Sequence, residues 1–82
     1  MNYTYKTRGV CSMQINFDIE GNKVHNVKFL GGCSGNTQGV AALVEGMDVN
    51  DAISRMKGIK CGPRATSCPD QLANALEQAL AQ

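Results

Sequence analysis

The residues of this chain best equipped for chemistry are its four cysteines, Cys11, Cys33, Cys61 and Cys68. Cys61 opens the run Cys61-Gly62-Pro63-Arg64, and Cys68 sits in Thr66-Ser67-Cys68-Pro69-Asp70 close behind it. Cys11 and Cys33 fall where earlier predicted elements end. A thiolate is a nucleophile and a soft metal ligand. Four of them converging can hold a tetrahedral zinc ion at about 2.3 Å per sulfur. The same donor set holds an iron–sulfur cluster, so ligand type does not separate the two. The chain contains no Cys-x-x-Cys pair, and its cysteine spacings match no common zinc-finger pattern. Cysteines on apolar stripes would read as small buried hydrophobes. These lie at element ends instead.

Other residue groups are weaker candidates. His25 is the only histidine and falls in a predicted strand, where an ordinary strand role competes with a metal or general-base role. Gly31-Gly32-Cys33-Ser34-Gly35 precedes a predicted helix, and open N–H groups there can cradle an anion. Lys57, Lys60 and Arg64 flank Cys61 and could attract a phosphate-bearing ligand. Gly32, Ser34, Gly35 and Arg64 are therefore the candidate cofactor-binding residues. The chain lacks the G-x-x-x-x-G-K-[ST] and G-x-G-x-x-G patterns, which makes the nucleotide signal a weak one. No residue is assigned a catalytic role.

Positioning these groups is the task of six predicted elements. Tyr3 to Cys11 reads as a strand, weakened by Gly9. Met13, Ile15, Phe17 and Ile19 alternate with polar residues, the period-two mark of a half-buried strand. Glu20-Gly21-Asn22-Lys23 reverses the chain, and Val24 to Leu30 returns with Val27 and Phe29 on one face. Asn36 is the expected N-cap of a helix carrying Val40, Leu43, Val44 and Met47, ended by Gly46. Asp48 caps a second helix with Val49, Ala52, Ile53 and Met56 inward and Gly58 as its stop. Ser67 and Asp70 resemble a capping box with Asp in place of Glu. Pro69 is tolerated in the first turn, and Leu72, Leu76, Ala79 and Leu80 form the last stripe. Cys33 and Cys68 both lie at expected helix starts, where open N–H groups and the helix dipole favour a thiolate. The expected fold is α+β: a three-stranded antiparallel sheet followed by three helices packed on one face, β-β-β-α-α-α.

Residues 1–82 read as a single domain. A chain of this size buries only about 60% of its unfolded surface, so a metal, disulfides or self-association would help it. Its net charge of +1 gives no electrostatic reason to expect DNA, RNA or an anionic membrane as partner. No apolar run is long enough to span a bilayer, and residues 1–6 lack the apolar core of a signal peptide. The expectation is a cytoplasmic protein, where structural disulfides are uncommon. The exposed edge of a three-stranded meander also permits a homodimer.

Thr66-Ser67-Cys68-Pro69-Asp70 spells the motif for which the TSCPD domain family is named. Together with Gly32-Cys33-Ser34-Gly35-Asn36, Met56-Lys57-Gly58-Ile59-Lys60-Cys61-Gly62 and Gln71-Leu72-Ala73, it makes the chain resemble stand-alone four-cysteine members of that family. Related domains occur at the C-termini of ribonucleotide reductases, where a metal-binding role has been suggested. The resemblance implies a link to ribonucleotide reductase, or to another redox enzyme, as an accessory. The chain is too short for the reductase barrel itself.

More distantly, the element order is similar to iron–sulfur scaffold proteins of the NifU/IscU type, with Cys11, Cys33 and Cys68 at the positions of that family's ligand cysteines. Met13 stands where those proteins carry Asp, and Ser67 where they usually carry His. Cys61 is an added thiol, which favours a closed four-thiolate site.

The principal expectation is a small metal-binding module using Cys11, Cys33, Cys61 and Cys68, with zinc or an iron–sulfur cluster as cofactor. Two alternatives stand beside it. One is a thiol redox protein in which Cys61 and Cys68 cycle between dithiol and disulfide. The other is a nucleotide- or cofactor-binding module.

Overall fold

Alternating side chains and one tight turn build the sheet. The computed structural model describes residues 2–7, 12–31, 34–60 and 66–81. Strands β1 (Asn2–Lys6), β2 (Ser12–Glu20) and β3 (Lys23–Gly31) pair antiparallel in the order β1-β2-β3. Gly21 (φ 54°) and Asn22 (φ 67°) both take left-handed backbone, as a two-residue hairpin turn between right-twisted strands requires. Ile15 and Phe17 of β2 are buried. Tyr3, the register partner of Phe17, stacks on its ring with centroids 5.4 Å apart.

The first strand is shorter than the sequence suggests. It ends at Lys6, after which the Thr7 N–H donates to the Met13 carbonyl at 3.2 Å. Cys11, where it was expected to end, lies outside the described residues. Met13 is 73% exposed rather than inward, because the register shifts between Ser12 and Gln14 and the alternation breaks there.

A second irregularity explains the uneven parity of β3. Asp18 pairs with His25 and Asn16 with Lys28, so Phe17 faces both Asn26 and Val27. Asn26 carries the extra residue of this bulge at φ 56°, a conformation asparagine tolerates better than most side chains. The bulge lets Val24 point into the core while Val27 and Phe29, of opposite parity, also pack against it.

Helices α1 (Ser34–Val44), α2 (Val49–Met56) and α3 (Cys68–Leu80) complete the α+β arrangement. Asn36 is not the cap of α1 but its third residue, since a glycine at 35 weakens a first turn without preventing it. The buried face of α1 runs through Thr37 and Val44. Leu43 was expected on that face, yet it is 77% exposed, being rotated by about 100° from Val44 around the helix. Beyond Gly46 (φ 76°) the chain pairs with the outer edge of β3: the Gly46 N–H donates to the Val24 carbonyl at 2.7 Å, and the Val24 N–H to Met47 at 2.9 Å. The start of β3 is thereby covered.

Asp48 caps α2 as expected, accepting from the N–H groups of Asn50 and Asp51. Val49, Ala52 and Met56 are buried, and Ile53 packs beside them. Gly58 (φ 88°) follows the end of this helix. α3 contributes Leu72, Ala73, Ala75, Leu76 and Ala79 to the core. Leu80, the last residue of the helix, is 45% exposed rather than inward. α1 packs on β3, and α3 contacts β2, α1 and α2.

Candidate functional site

Cys68 is the first residue of α3, with Ser67 as the N-cap and Pro69 behind it. It is half-buried. As the first residue of the helix it stands where the open backbone N–H groups of the first turn lie. Ser67 makes two bonds there. Its hydroxyl accepts from the Asp70 N–H at 3.2 Å and donates to the Ile59 carbonyl at 2.6 Å.

Asp70 does not close a capping box. Its carboxylate turns instead to the segment leaving α2. One oxygen accepts from the Gly58 N–H at 2.7 Å, and the other from the Thr66 hydroxyl. The Gln71 side-chain amide then donates to the Thr66 oxygen at 3.0 Å. Asp70, Ser67 and Gln71 are all buried. Among the described residues, no buried side-chain nitrogen or oxygen lacks a partner. The cap prediction saw Ser67 correctly but assigned Asp70 the wrong partner. The only sequence signal for the true one is Thr66 four positions before Asp70, which puts a second hydroxyl within reach of the helix start.

Cys11, Cys33 and Cys61 lie outside the described residues. Ser12, which follows Cys11, is the register partner of Gly31, two residues before Cys33. Ile59, two residues before Cys61, is tied to Ser67, which precedes Cys68. The chain neighbours of the four cysteines are thus joined in two pairs, one at an end of the β2–β3 ladder and one at the start of α3. Among the described residues, no group of three His, Cys, Asp or Glu side chains is placed to hold a metal ion. Cys68 is the one proposed ligand among the described residues, half-buried at a helix start, and its sulfur is a donor of the type a thiophilic metal takes.

Of the candidate cofactor-binding residues, Ser34 and Gly35 are the first two of α1, while Gly32 and Arg64 lie outside the described residues. Lys57 does not face an open loop, because its ammonium meets the Glu77 carboxylate on α3 at 2.8 Å.

His25 belongs to a separate cluster at the bulge. Its Nδ1 lies 2.5 Å from a Glu45 carboxylate oxygen, and the other oxygen accepts from the Asn26 N–H at 2.9 Å. The Asn26 side chain donates to Asp18 at 3.0 Å. The Asn26 N–H, and then His25, hold the Glu45 carboxyl below its ordinary range. The Asn26 side-chain donor does the same for Asp18, with Asn2 second. These bonds hold the bulge to the end of α1. Sequence reasoning missed Glu45, which lies 20 positions from His25 with no local pattern to connect them.

The TSCPD domain model matches residues 2–80, nearly the whole chain. The chain belongs to the TSCPD domain family. The match takes in all four cysteines and the segment at the start of α3 for which the family is named. No curated protein and no solved structure shows a significant match. No helix among the described residues is long and apolar enough to cross a membrane.

Proposed function

We propose that this TSCPD domain is a cytoplasmic metal-binding module in which Cys11, Cys33, Cys61 and Cys68 hold one zinc ion or an iron–sulfur cluster. The observation that carries this reading is the pairing of the cysteines' neighbours: Ser12 with Gly31, and Ile59 with Ser67. The ties join chain segments that border Cys11 and Cys33 in one case and Cys61 and Cys68 in the other, which supports the reading of a shared site. A bound zinc would supply cross-linking free energy to a small fold, because binding and folding are then linked. A cluster is the alternative occupant, an expectation that rests on the sequence resemblance to NifU/IscU-type scaffolds and on no structural match. The family resemblance supports an accessory role beside a ribonucleotide reductase or another redox enzyme.

Single Cys→Ser variants at positions 11, 33, 61 and 68 test the ligand set. Each is expected to lower the metal content of the purified protein to below about half that of the parent. A full complement in two or more variants contradicts a four-thiolate site. The Ile59–Ser67 tie also favours a second reading, in which Cys61 and Cys68 form a reversible disulfide. Titration of the metal-free protein against glutathione buffers distinguishes it, since that reading requires those two thiols to oxidise as a pair while Cys11 and Cys33 remain reduced.

A further inference from the structure

We infer that Asp70 is a positioning residue for the thiolate site: its buried carboxylate latches the exit of α2 to the entrance of α3 and so fixes the backbone from which Cys68 is presented. This rests on the reading of Cys68 as a metal ligand, but the latch itself can be tested without any metal.

The geometry is that of a clasp rather than a cap. Helix capping needs only the Ser67 hydroxyl and the Asp70 N–H, and that bond is present. The Asp70 side chain is left over. Both of its oxygens are used on the preceding chain, one on Gly58 and one on Thr66. Gly58 and Thr66 are eight positions apart in sequence, so one carboxylate ties two points of the preceding chain to the first turn of α3. The Ser67–Ile59 bond and the Gln71–Thr66 bond reinforce the same tie. The Lys57–Glu77 pair adds a further tie between α2 and α3, but it is largely exposed and contributes little by comparison.

A ligand presented from a fixed backbone binds a metal more tightly than the same ligand on a loose one, because less chain entropy is lost on binding. The Gly58 N–H reports the latch directly. While bonded to Asp70 it is protected from hydrogen exchange, and it exchanges when the clasp opens.

The test compares Asp70→Ala, Asp70→Asn and Thr66→Val with Leu76→Val, a core change farther along α3 at a fully buried position. Two quantities are read: Gly58 amide exchange in the metal-free protein, and the rate at which zinc passes from the loaded protein to a chelator. Removing a buried carboxylate acceptor should raise both rates about tenfold or more in Asp70→Ala. Asp70→Asn keeps an acceptor for Gly58 and is expected to fall between Asp70→Ala and the parent. Thr66→Val keeps the carboxylate but loses one arm, and should raise zinc transfer with a smaller change at Gly58. Leu76→Val lowers global stability and should leave both rates within about twofold of the parent.

Unchanged Gly58 exchange in both Asp70→Ala and Thr66→Val would overturn the latch. Zinc transfer no faster in Asp70→Ala than in Leu76→Val would overturn its positioning role. A parent protein that binds no zinc would remove the metal reading, and Gly58 exchange would still decide the latch.

Discussion

Two polar clusters in this fold use similar parts to opposite effect. At the start of α3, Thr66, Ser67, Asp70 and Gln71 join α2 to α3 through bonds that are buried or nearly so. At the β3 bulge, His25, Asn26, Asp18 and Glu45 join the sheet to the end of α1 through bonds that are exposed. The difference is solvent. Removing a buried acceptor strands its donor at a cost of about 1–3 kcal/mol, whereas at an exposed site water takes the acceptor's place. The first cluster holds structure together beside Cys68. The second mainly fixes the register of β3 and should tolerate change.

That contrast orders the expected effects. Asp70→Ala should cost most, roughly 3 kcal/mol in urea unfolding, because the Gly58 N–H loses its acceptor and the Thr66 hydroxyl must find another. A loss below about 1 kcal/mol would place Asp70 with the exposed cluster instead. Ser67→Ala should follow at about 1–2 kcal/mol, the usual cost of a lost N-cap, with Ser67→Asp recovering the cap but not the donor to Ile59. Third comes Asn26→Ala, at about 1 kcal/mol, since alanine at φ 56° meets the left-handed penalty. Asn26→Gly avoids that penalty, so the glycine variant should be the more stable of the two.

Glu45→Gln is the mildest change and acts through pH. The Glu45 carboxyl is held below its ordinary value of 4.5, so its contribution is present above that value. It disappears as pH falls through the lower, folded-state value. Glu45→Gln should therefore lower stability slightly near neutral pH and match the parent in acid, which flattens the acid limb of the stability curve. Parallel acid limbs in the two proteins would show that the His25–Asn26–Glu45 contacts contribute nothing in solution.

Much of the fold was legible because it rests on local periodicity. Ile15 and Phe17 on one face of β2, the Gly21-Asn22 turn, the Asp48 cap and the Leu72–Leu76 stripe all follow from spacings within a few residues. What escaped is set by contacts between distant segments. The parity change in β3 depends on a bulge opposite Phe17, and a period-two reading of Val24 to Leu30 has no means of inserting one. Leu43 fits a helical stripe as well as Val44 does, and only the seating of α1 on β3 decides which of them is buried. Asp70 was legible as a residue of a helix start but not as a latch, because Gly58 is 12 positions away. The cysteines announced themselves by type and by position at element ends, while the ties between their neighbours came only from the sheet register and the Ser67–Ile59 bond.

The central claim is that four thiolates share one metal or cluster. It is tested most directly by metal analysis, an absorption spectrum and thiol titration on protein freshly purified without oxygen. The account predicts about one equivalent of zinc in a colourless protein, or iron with sulfide-to-iron charge-transfer absorption, and thiols shielded from titration until the metal is removed. Less than about half an equivalent of any metal, with all four thiols immediately titratable, would contradict it.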